Sequence, residues 1–391
     1  MGETTYLLGA GINRNVKGPD GLLPPPAHDF FRQALRHPRI SDEHIIGLIT
    51  PLFDFIEKYW HITKNELKDN EFDLEECFTM LELQRRDAER SQDQHVLVST
   101  LRVEWLLTQL LLDFMSEVEN WVYNSAQFQE FGKRLFLERA TVITFNYDNL
   151  LESAIELASP RRLGAEKTLS SRDPMDNVIN DDDIAYSPHE WNPYVAYKVR
   201  FDEVELLTPG ITRMVEGTRY YGHIRNQVDL PAFLKMHGSL GWFFHSGYRV
   251  DGVHLEGEGD SQTGRSVLRR GLYRLGHPSI DYANIEILLP LIITPVLNKP
   301  YDRHPVFQTI WEQARVELRH CKRLVIGGYS FPQTDFHVRR LLREVFSDNC
   351  LEELCIINPN TIIIGVAKDL CNYKMPVTVC KDIEEFLSMG A

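Results

Sequence analysis

Paired cysteines are missing from this chain. Its six cysteines, Cys77, Cys321, Cys350, Cys355, Cys371 and Cys380, are scattered, and none belongs to a Cys-x-x-Cys pair. That excludes a zinc ribbon, which draws its thiolates from such close pairs. Blocks of Lys and Arg are missing too, and 42 basic side chains face 56 acidic ones for a formal charge of -14. Phosphate backbones are gripped by a basic face, so direct nucleic-acid binding by this chain is not expected. Long apolar runs are scarce. The longest, Ile287 to Leu297, is short and contains Pro290 and Pro295, so no membrane span is expected. The amino terminus enters Tyr6-Leu7-Leu8-Gly9 without a basic region, an apolar core or a cleavage site. No secretory signal is read there, and with thiols unpaired by pattern a reducing cytoplasm is the expected location.

What is present suffices for a large core: 391 residues, 43% of them hydrophobic. That exceeds the usual size of one domain, and one main domain with sizeable insertions is expected. The chain is organised around Ala140 to Glu152. Here Ala140-Thr141-Val142-Ile143-Thr144-Phe145 runs directly into Asn146-Tyr147-Asp148-Asn149. The β-branched run suits a parallel strand covered on both faces, and Leu150, Leu151 and Ile155 then recur at helical spacing. Asn146 and Asp148 therefore stand at the carboxyl end of a strand, the edge where open α/β sheets bind ligands. Taken alone, they also fit a turn and a helix cap.

The same grammar recurs. A strand from Thr5 to Leu8 leads into Gly9-Ala10-Gly11-Ile12-Asn13, small residues that let a backbone approach a pyrophosphate. The Gly- and Pro-rich segment Asn15 to His28 follows, read either as a loop that closes over a ligand or as a plain surface connection. From about Ser41 to Arg139 the pattern is helical, with stripes such as Ile45/Leu48/Ile49/Leu52/Phe53/Ile56. That is too much helix for one crossover and predicts an inserted subdomain, with Tyr59, Trp60, Trp105, Trp121 and Tyr123 as core or subunit interface. A second insertion from Ser159 to about Leu230 reads as loops with short strands such as Tyr194 to Val199, and its Asp181-Asp182-Asp183 as a solvated turn. Order returns at Leu234 to Phe244, a strand, a glycine turn at His237-Gly238 and a second strand. A hairpin excursion is expected over Tyr248 to Tyr282. A buried strand from Leu288, the strand Arg323 to Ile326 before Gly327-Gly328-Tyr329-Ser330, a helix from Asp335 to Phe346 and the strand Leu354 to Ile357 before Asn358 complete the chain, with a last strand and helix from Val377 to Phe386.

Four small or polar clusters thus follow four apolar strands: Gly9 to Asn13, Asn146 to Asp148, Gly328 to Ser330, and Asn358. Four at one topological position point to a dinucleotide crevice.

In this order, G-A-G-I-N at Gly9 to Asn13, T-x-N-x-D at Thr144 to Asp148, H-G at His237, G-x-S at Gly328 to Ser330 and I-N at Ile357-Asn358 resemble the motif series of the sirtuin superfamily. The match covers about 1–35, 140–158, 232–244 and 288–391. The stretch from His237 to Gly276 holds no cysteine, whereas sirtuin deacylases carry a zinc ribbon there. Phe145 stands where deacylases usually have Gln, and Tyr329 where they have Thr. Phe145-Asn146-Tyr147-Asp148, His237-Gly238-Ser239 and Gly328 to Pro332 resemble instead the sirtuin-like NAD hydrolases of bacterial antiviral defence. Length and the helical insertion are most similar to the stand-alone subunit that assembles with a HerA-type translocase ATPase.

The resemblance implies an α/β fold, a Rossmann-like parallel sheet with helices on both faces and no zinc ribbon. Residues 1–40, 140–158 and 232–391 would form the NAD-binding domain, 41–139 the helical insertion and 159–231 the loop and β insertion. It implies that NAD is the substrate, without a metal. Asn146 would position ribose and water, and His237 would act as general base. Gly9, Ala10, Gly11, Gly328 and Ser330 would line the pyrophosphate, with Asn13 and Thr144 also contacting NAD. Asn358 would reach the adenosine ribose, and Asp148 would orient the Asn146 loop or bind ribose. It implies a homo-oligomer, partnered with the ATPase, that depletes NAD. The alternatives are an NAD-dependent deacylase or ADP-ribosyltransferase, and a non-catalytic NAD or ADP-ribose-binding scaffold for an ATPase.

Overall fold

A computed structural model describes residues 4–158, 196–208, 211–216, 230–251, 254–257, 265–270, 284–293, 304–332, 335–347 and 351–389. The strands are β1 (Thr4–Leu8), β2 (Thr141–Thr144), β3 (Glu203–Thr208), β4 (Ile211–Glu216), β5 (Phe233–Lys235), β6 (Gly238–Asp251), β7 (His254–Gly257), β8 (Ser266–Arg270), β9 (Asn284–Ile292), β10 (Arg323–Gly327), β11 (Glu353–Ile357) and β12 (Thr378–Cys380). The helices are α1 (Phe30–Arg36), α2 (Glu43–Leu48), α3 (Thr50–Trp60), α4 (Lys64–Leu67), α5 (Leu74–Ser91), α6 (Gln94–Glu119), α7 (Ala126–Leu137), α8 (Leu150–Ala158), α9 (Pro305–Arg319), α10 (Phe336–Phe346), α11 (Thr361–Leu370) and α12 (Ile383–Ser388).

Six strands make one sheet in the order β12-β11-β10-β1-β2-β5, every neighbouring pair parallel. Numbered among themselves along the chain, they run 3-2-1-4-5-6, the order of dinucleotide-binding doubly wound sheets. The order reverses between β1 and β10, where Thr4 to Leu8 pair with Arg323 to Gly327. Because helices cover both faces, these strands are apolar along their length: Tyr6, Leu7, Leu8, Val142, Ile143, Leu324, Val325 and Ile326 are all buried. The α/β class expected of the sequence is the one observed.

The helical segment and the sheet share a layer. Helix α7 lies within the stretch read as an insertion, yet it covers the sheet: Phe131 meets Tyr6 edge-on at 5.9 Å and Phe386 at 6.1 Å. Gly132 lets α7 lie close against α8, since a Cβ there would fall 2.6 Å from the backbone of Ala154. Of the aromatic positions, Trp105 and Trp121 are buried, Tyr59 and Trp60 pack partly buried against the core, and Tyr123 is 58% exposed.

A second sheet has the order β4-β3-β8-β6-β7, with β9 also paired to β6. The division of the chain at residue 231 therefore does not follow the sheets. Of the stretch 232–292, only β5 joins the parallel sheet, and β6 to β9 build the second one with β3 and β4. The buried strand read from Leu288 belongs here, antiparallel to β6. The cause is local. Gly238 has φ +86, and a Cβ there would sit 1.9 Å from the Leu291 carbonyl oxygen, so only glycine lets β9 lie this close to the turn out of β5. Helices α5 and α6 reach this sheet: Ala88 of α5 and Leu97, Val98 and Leu101 of α6 form a small core with Leu289. The strand read at Tyr194 to Val199 is not one where it is described. Ala196, Tyr197 and Val199 are buried but none is in a strand, and Lys198 at φ +57 breaks any extended run. The triplet Asp181 to Asp183 lies outside the described residues. No described helix is long and apolar enough to cross a membrane.

Candidate active site

The strand ends at the carboxyl edge of the parallel sheet are joined in series by backbone hydrogen bonds. Phe145 N–H donates to the Leu8 carbonyl (3.0 Å), Met236 N–H to Thr144 (2.8 Å), Gly9 N–H to Gly327 (2.9 Å), Gly11 N–H to Gly328 (2.9 Å) and Gly328 N–H to Ile357 (3.1 Å). The glycines have a specific function in this seam. Gly328 has φ +60, and a Cβ on it would lie 2.1 Å from the Ile12 nitrogen. Ala10 and Gly11 stay exposed above the seam, while Ile12 and Asn13 turn inward. The segment read as a closing loop or a surface connection is pinned: Lys17 N–H donates to Ser125 Oγ (2.8 Å), and Gly18 packs on the Trp121 ring.

Three polar side chains from two strand ends form a relay. Asn13 Nδ2 donates to Asp148 Oδ2 (2.8 Å), and Asn146 Nδ2 donates to Asn13 Oδ1 (3.4 Å). Asp148 Oδ1 accepts the Leu150 N–H (3.1 Å), so it caps α8 and anchors the relay at once. Thr144 is buried, and its hydroxyl oxygen accepts the Asn146 N–H (3.2 Å), bracing the loop from below. Asn146 itself is 6% exposed.

Below the loop lies an ammonium that reading the sequence did not single out. Lys235 is 0% exposed, and its Nζ donates to the Asp148 carbonyl, to Glu152 Oε1 (2.7 Å) and to Asn149 Oδ1 (3.4 Å). Tyr197 OH adds a bond to the same Glu152 oxygen (3.2 Å). Burial raises the carboxyl pKa values of Asp148 and Glu152, and Lys235 opposes that in both. A lysine inside Phe233-Leu234-Lys235-Met236 was the visible clue, since a buried charge needs a partner.

His237 lies two residues past the end of β5 and is 5% exposed. The Phe145 ring meets it edge-on at 5.1 Å and the Tyr147 ring lies at 6.2 Å, so the imidazole stands against the loop that carries Asn146. Tyr147 OH donates to the Ile293 carbonyl (2.7 Å), whose N–H donates to the His237 carbonyl (2.8 Å). From the β10 side, Asp335 Oδ1 approaches His237 Nε2 to 3.6 Å.

No protein-family model matches this chain, and no curated protein matches it. Its chemistry is therefore read from the site.

The structure brings Gly9, Ala10, Gly11, Asn13, Thr144, Asn146, Asp148, His237 and Gly328 to one edge around the β1–β10 reversal. Ser330 is exposed on the same edge. Asn358 immediately follows β11, next to β10, and its Oδ1 accepts the Asn360 N–H (2.9 Å) in a local turn. What the edge can do chemically follows from the donors. With Asn146 Nδ2 engaged by Asn13, its Oδ1 is the acceptor suited to aligning a water or a sugar hydroxyl.

Proposed function

We propose that this chain is an NAD glycohydrolase that cleaves NAD to nicotinamide and ADP-ribose. The observation that carries the proposal is the 3-2-1-4-5-6 sheet, with the Asp148–Asn13–Asn146 relay and His237 beside its reversal point. The pyridinium of NAD is already cationic, so its departure needs no strong acid. It needs a fixed ribose, exclusion of bulk water and a nucleophile beneath the anomeric carbon. Ala10 and Gly11 offer an exposed floor for the pyrophosphate above the glycine seam. Asn146 aligns the ribose and the attacking water, and His237 draws the proton from water or a ribose hydroxyl. The relay through Asn13 fixes the Asn146 amide, which makes Asp148 an orienting residue.

The biological reading follows the sequence resemblance: depletion of NAD in anti-phage defence by a cytoplasmic homo-oligomer coupled to a HerA-type translocase ATPase, with no metal in the reaction. The decisive experiment incubates NAD with the chain, alone and with the product of its neighbouring gene, and measures nicotinamide release. Asn146→Ala and His237→Ala should each lower turnover by about 10²-fold or more. Equal turnover in wild type and both variants removes the site assignment. Release that requires an acyl-lysine peptide points to the deacylase alternative, and NAD binding without turnover in the full complex points to a scaffold.

A further inference from the structure

We infer that Asp335, held by Tyr329, is a positioning residue that orients the His237 imidazole and stabilises its protonated form; this rests on the hydrolase reading above. Asp335 stands at the amino-terminal cap of α10, where an aspartate ordinarily accepts a backbone N–H. Its carboxylate makes no capping bond. Instead Oδ2 accepts the Tyr329 hydroxyl at 2.6 Å, and Oδ1 lies 3.6 Å from His237 Nε2. All three side chains are buried, with Asp335 at 3% exposure.

The loop between β10 and α10 is built to hold this arrangement. Asp335 N–H donates to the Pro332 carbonyl (3.0 Å), and the Asp335 carbonyl accepts from Val338 (3.1 Å) and Arg339 (3.3 Å). Phe331 adopts φ +52, a left-handed backbone uncommon for a bulky residue, and its carbonyl accepts from the Arg339 guanidinium (3.2 Å). Such geometry gathers at working sites. The Tyr329 ring is fixed in turn between Phe145 and Phe331.

At 3.6 Å the carboxylate acts on Nε2 electrostatically and favours the proton there, leaving Nδ1 as the acceptor, the reverse of the hydrolase triad, in which aspartate engages Nδ1 and Nε2 is the base. In the step, the N-glycosidic bond breaks with its electron pair going to nicotinamide, and the water oxygen bonds to the anomeric carbon. The water proton passes to Nδ1 and then to solvent, so NAD⁺ and water give nicotinamide, ADP-ribose and a proton. Asp335 stays ionised and offsets the imidazolium charge. The titratable groups facing His237 among the described residues are Asp335, Tyr329 through Asp335, and Tyr147, whose hydroxyl is engaged by Ile293. Lys235, on the strand that leads into His237, directs its ammonium to Asp148, Asn149 and Glu152.

The test uses the full chain with two readouts. Nuclear magnetic resonance follows the His237 imidazole, assigned by its loss in His237→Ala, and nicotinamide release gives kcat and KM across pH. Asp335→Asn should lower the His237 pKa by about one unit or more. The acid limb of kcat should move to lower pH by the same amount, with kcat near neutrality down about 10²-fold or more and KM for NAD little changed. Asp335→Glu, which keeps the charge, should restore part of both. An unchanged His237 pKa with unchanged kcat in folded Asp335→Asn overturns the inference. A wild type that releases no nicotinamide, but whose His237 pKa still falls in Asp335→Asn, overturns the hydrolase reading and leaves the coupling standing. Should Asp335→Asn not fold, Tyr329→Phe keeps the ring and removes the hydroxyl. A several-fold fall in kcat at constant KM then supports the inference, and no fall overturns it.

Discussion

Phe145 and Tyr329 stack on each other, ring centroids 4.3 Å apart and planes inclined by 18°, although they follow different strands. The sequence resemblance reads these two positions as departures from the deacylase motifs, and their side chains pack as one aromatic unit. The Phe145 ring of this pair meets the His237 imidazole at 5.1 Å. Phe145→Ala should lower stability by about 3–5 kcal/mol, the usual loss for deleting a buried ring, read by chemical denaturation. Phe145→Leu should lose less than Phe145→Ala, because it refills most of the space.

Asn13 carries a second prediction, because its one amide bonds both Asp148 and Asn146. Asn13→Ala leaves the Asp148 oxygen without its side-chain donor and the Asn146 amide without its brace. Stability should fall by about 1–3 kcal/mol. Nicotinamide release should fall by about 10²-fold, since the loss is one of orientation. Steady-state kinetics on folded variant protein check this, and unchanged kcat would detach the relay from catalysis.

Lys235 supplies the third. Its ammonium and the Glu152 carboxylate are both buried, at 0% and 8% side-chain exposure. Lys235→Met strands Glu152 and should destabilise the chain by about 3–5 kcal/mol. Adding Glu152→Leu should recover part of that loss, because no uncompensated charge remains. Urea denaturation of the single and double variants measures the difference.

The fourth concerns pH. Glu119, at the end of α6, has its pKa pushed up to about 7, first by burial and further by Glu152, Asp148 and Glu156, while its hydrogen bond from Ser153 opposes the rise. The folded state therefore holds a proton that the unfolded chain gives up near the ordinary carboxyl value of 4.5. The stability this proton confers is complete below 4.5 and is lost as pH rises through about 7, a change of roughly 3 kcal/mol from this one group. Glu119→Gln should flatten that dependence between pH 5 and 8, as followed by denaturant midpoints.

The parallel sheet was legible because its strands are short, β-branched and followed by small polar turns, so Gly9 to Asn13, Asn146 to Asp148 and Gly328 could be placed at one edge before any coordinates. The relay among Asn13, Asn146 and Asp148 was legible only as proximity, since a hydrogen bond between loops leaves no periodic trace. Asp335 was read as the start of a helix. Its contact with His237 depends on how the Phe331 turn folds back, which no local pattern encodes. The second sheet was harder still: β6 leaves the first sheet within a few residues of β5, and the switch hangs on Gly238, one residue whose φ the sequence does not display.

The glycine seam between the loops after β1 and β10 has one further implication. Gly9 and Gly11 donate to Gly327 and Gly328, and a methyl group on Gly328 would collide with Ile12. The two loops are thus locked to each other by the protein's own backbone and must move as one piece. A change made at Gly328 is therefore also a change to the loop after β1, and neither loop can be reshaped alone.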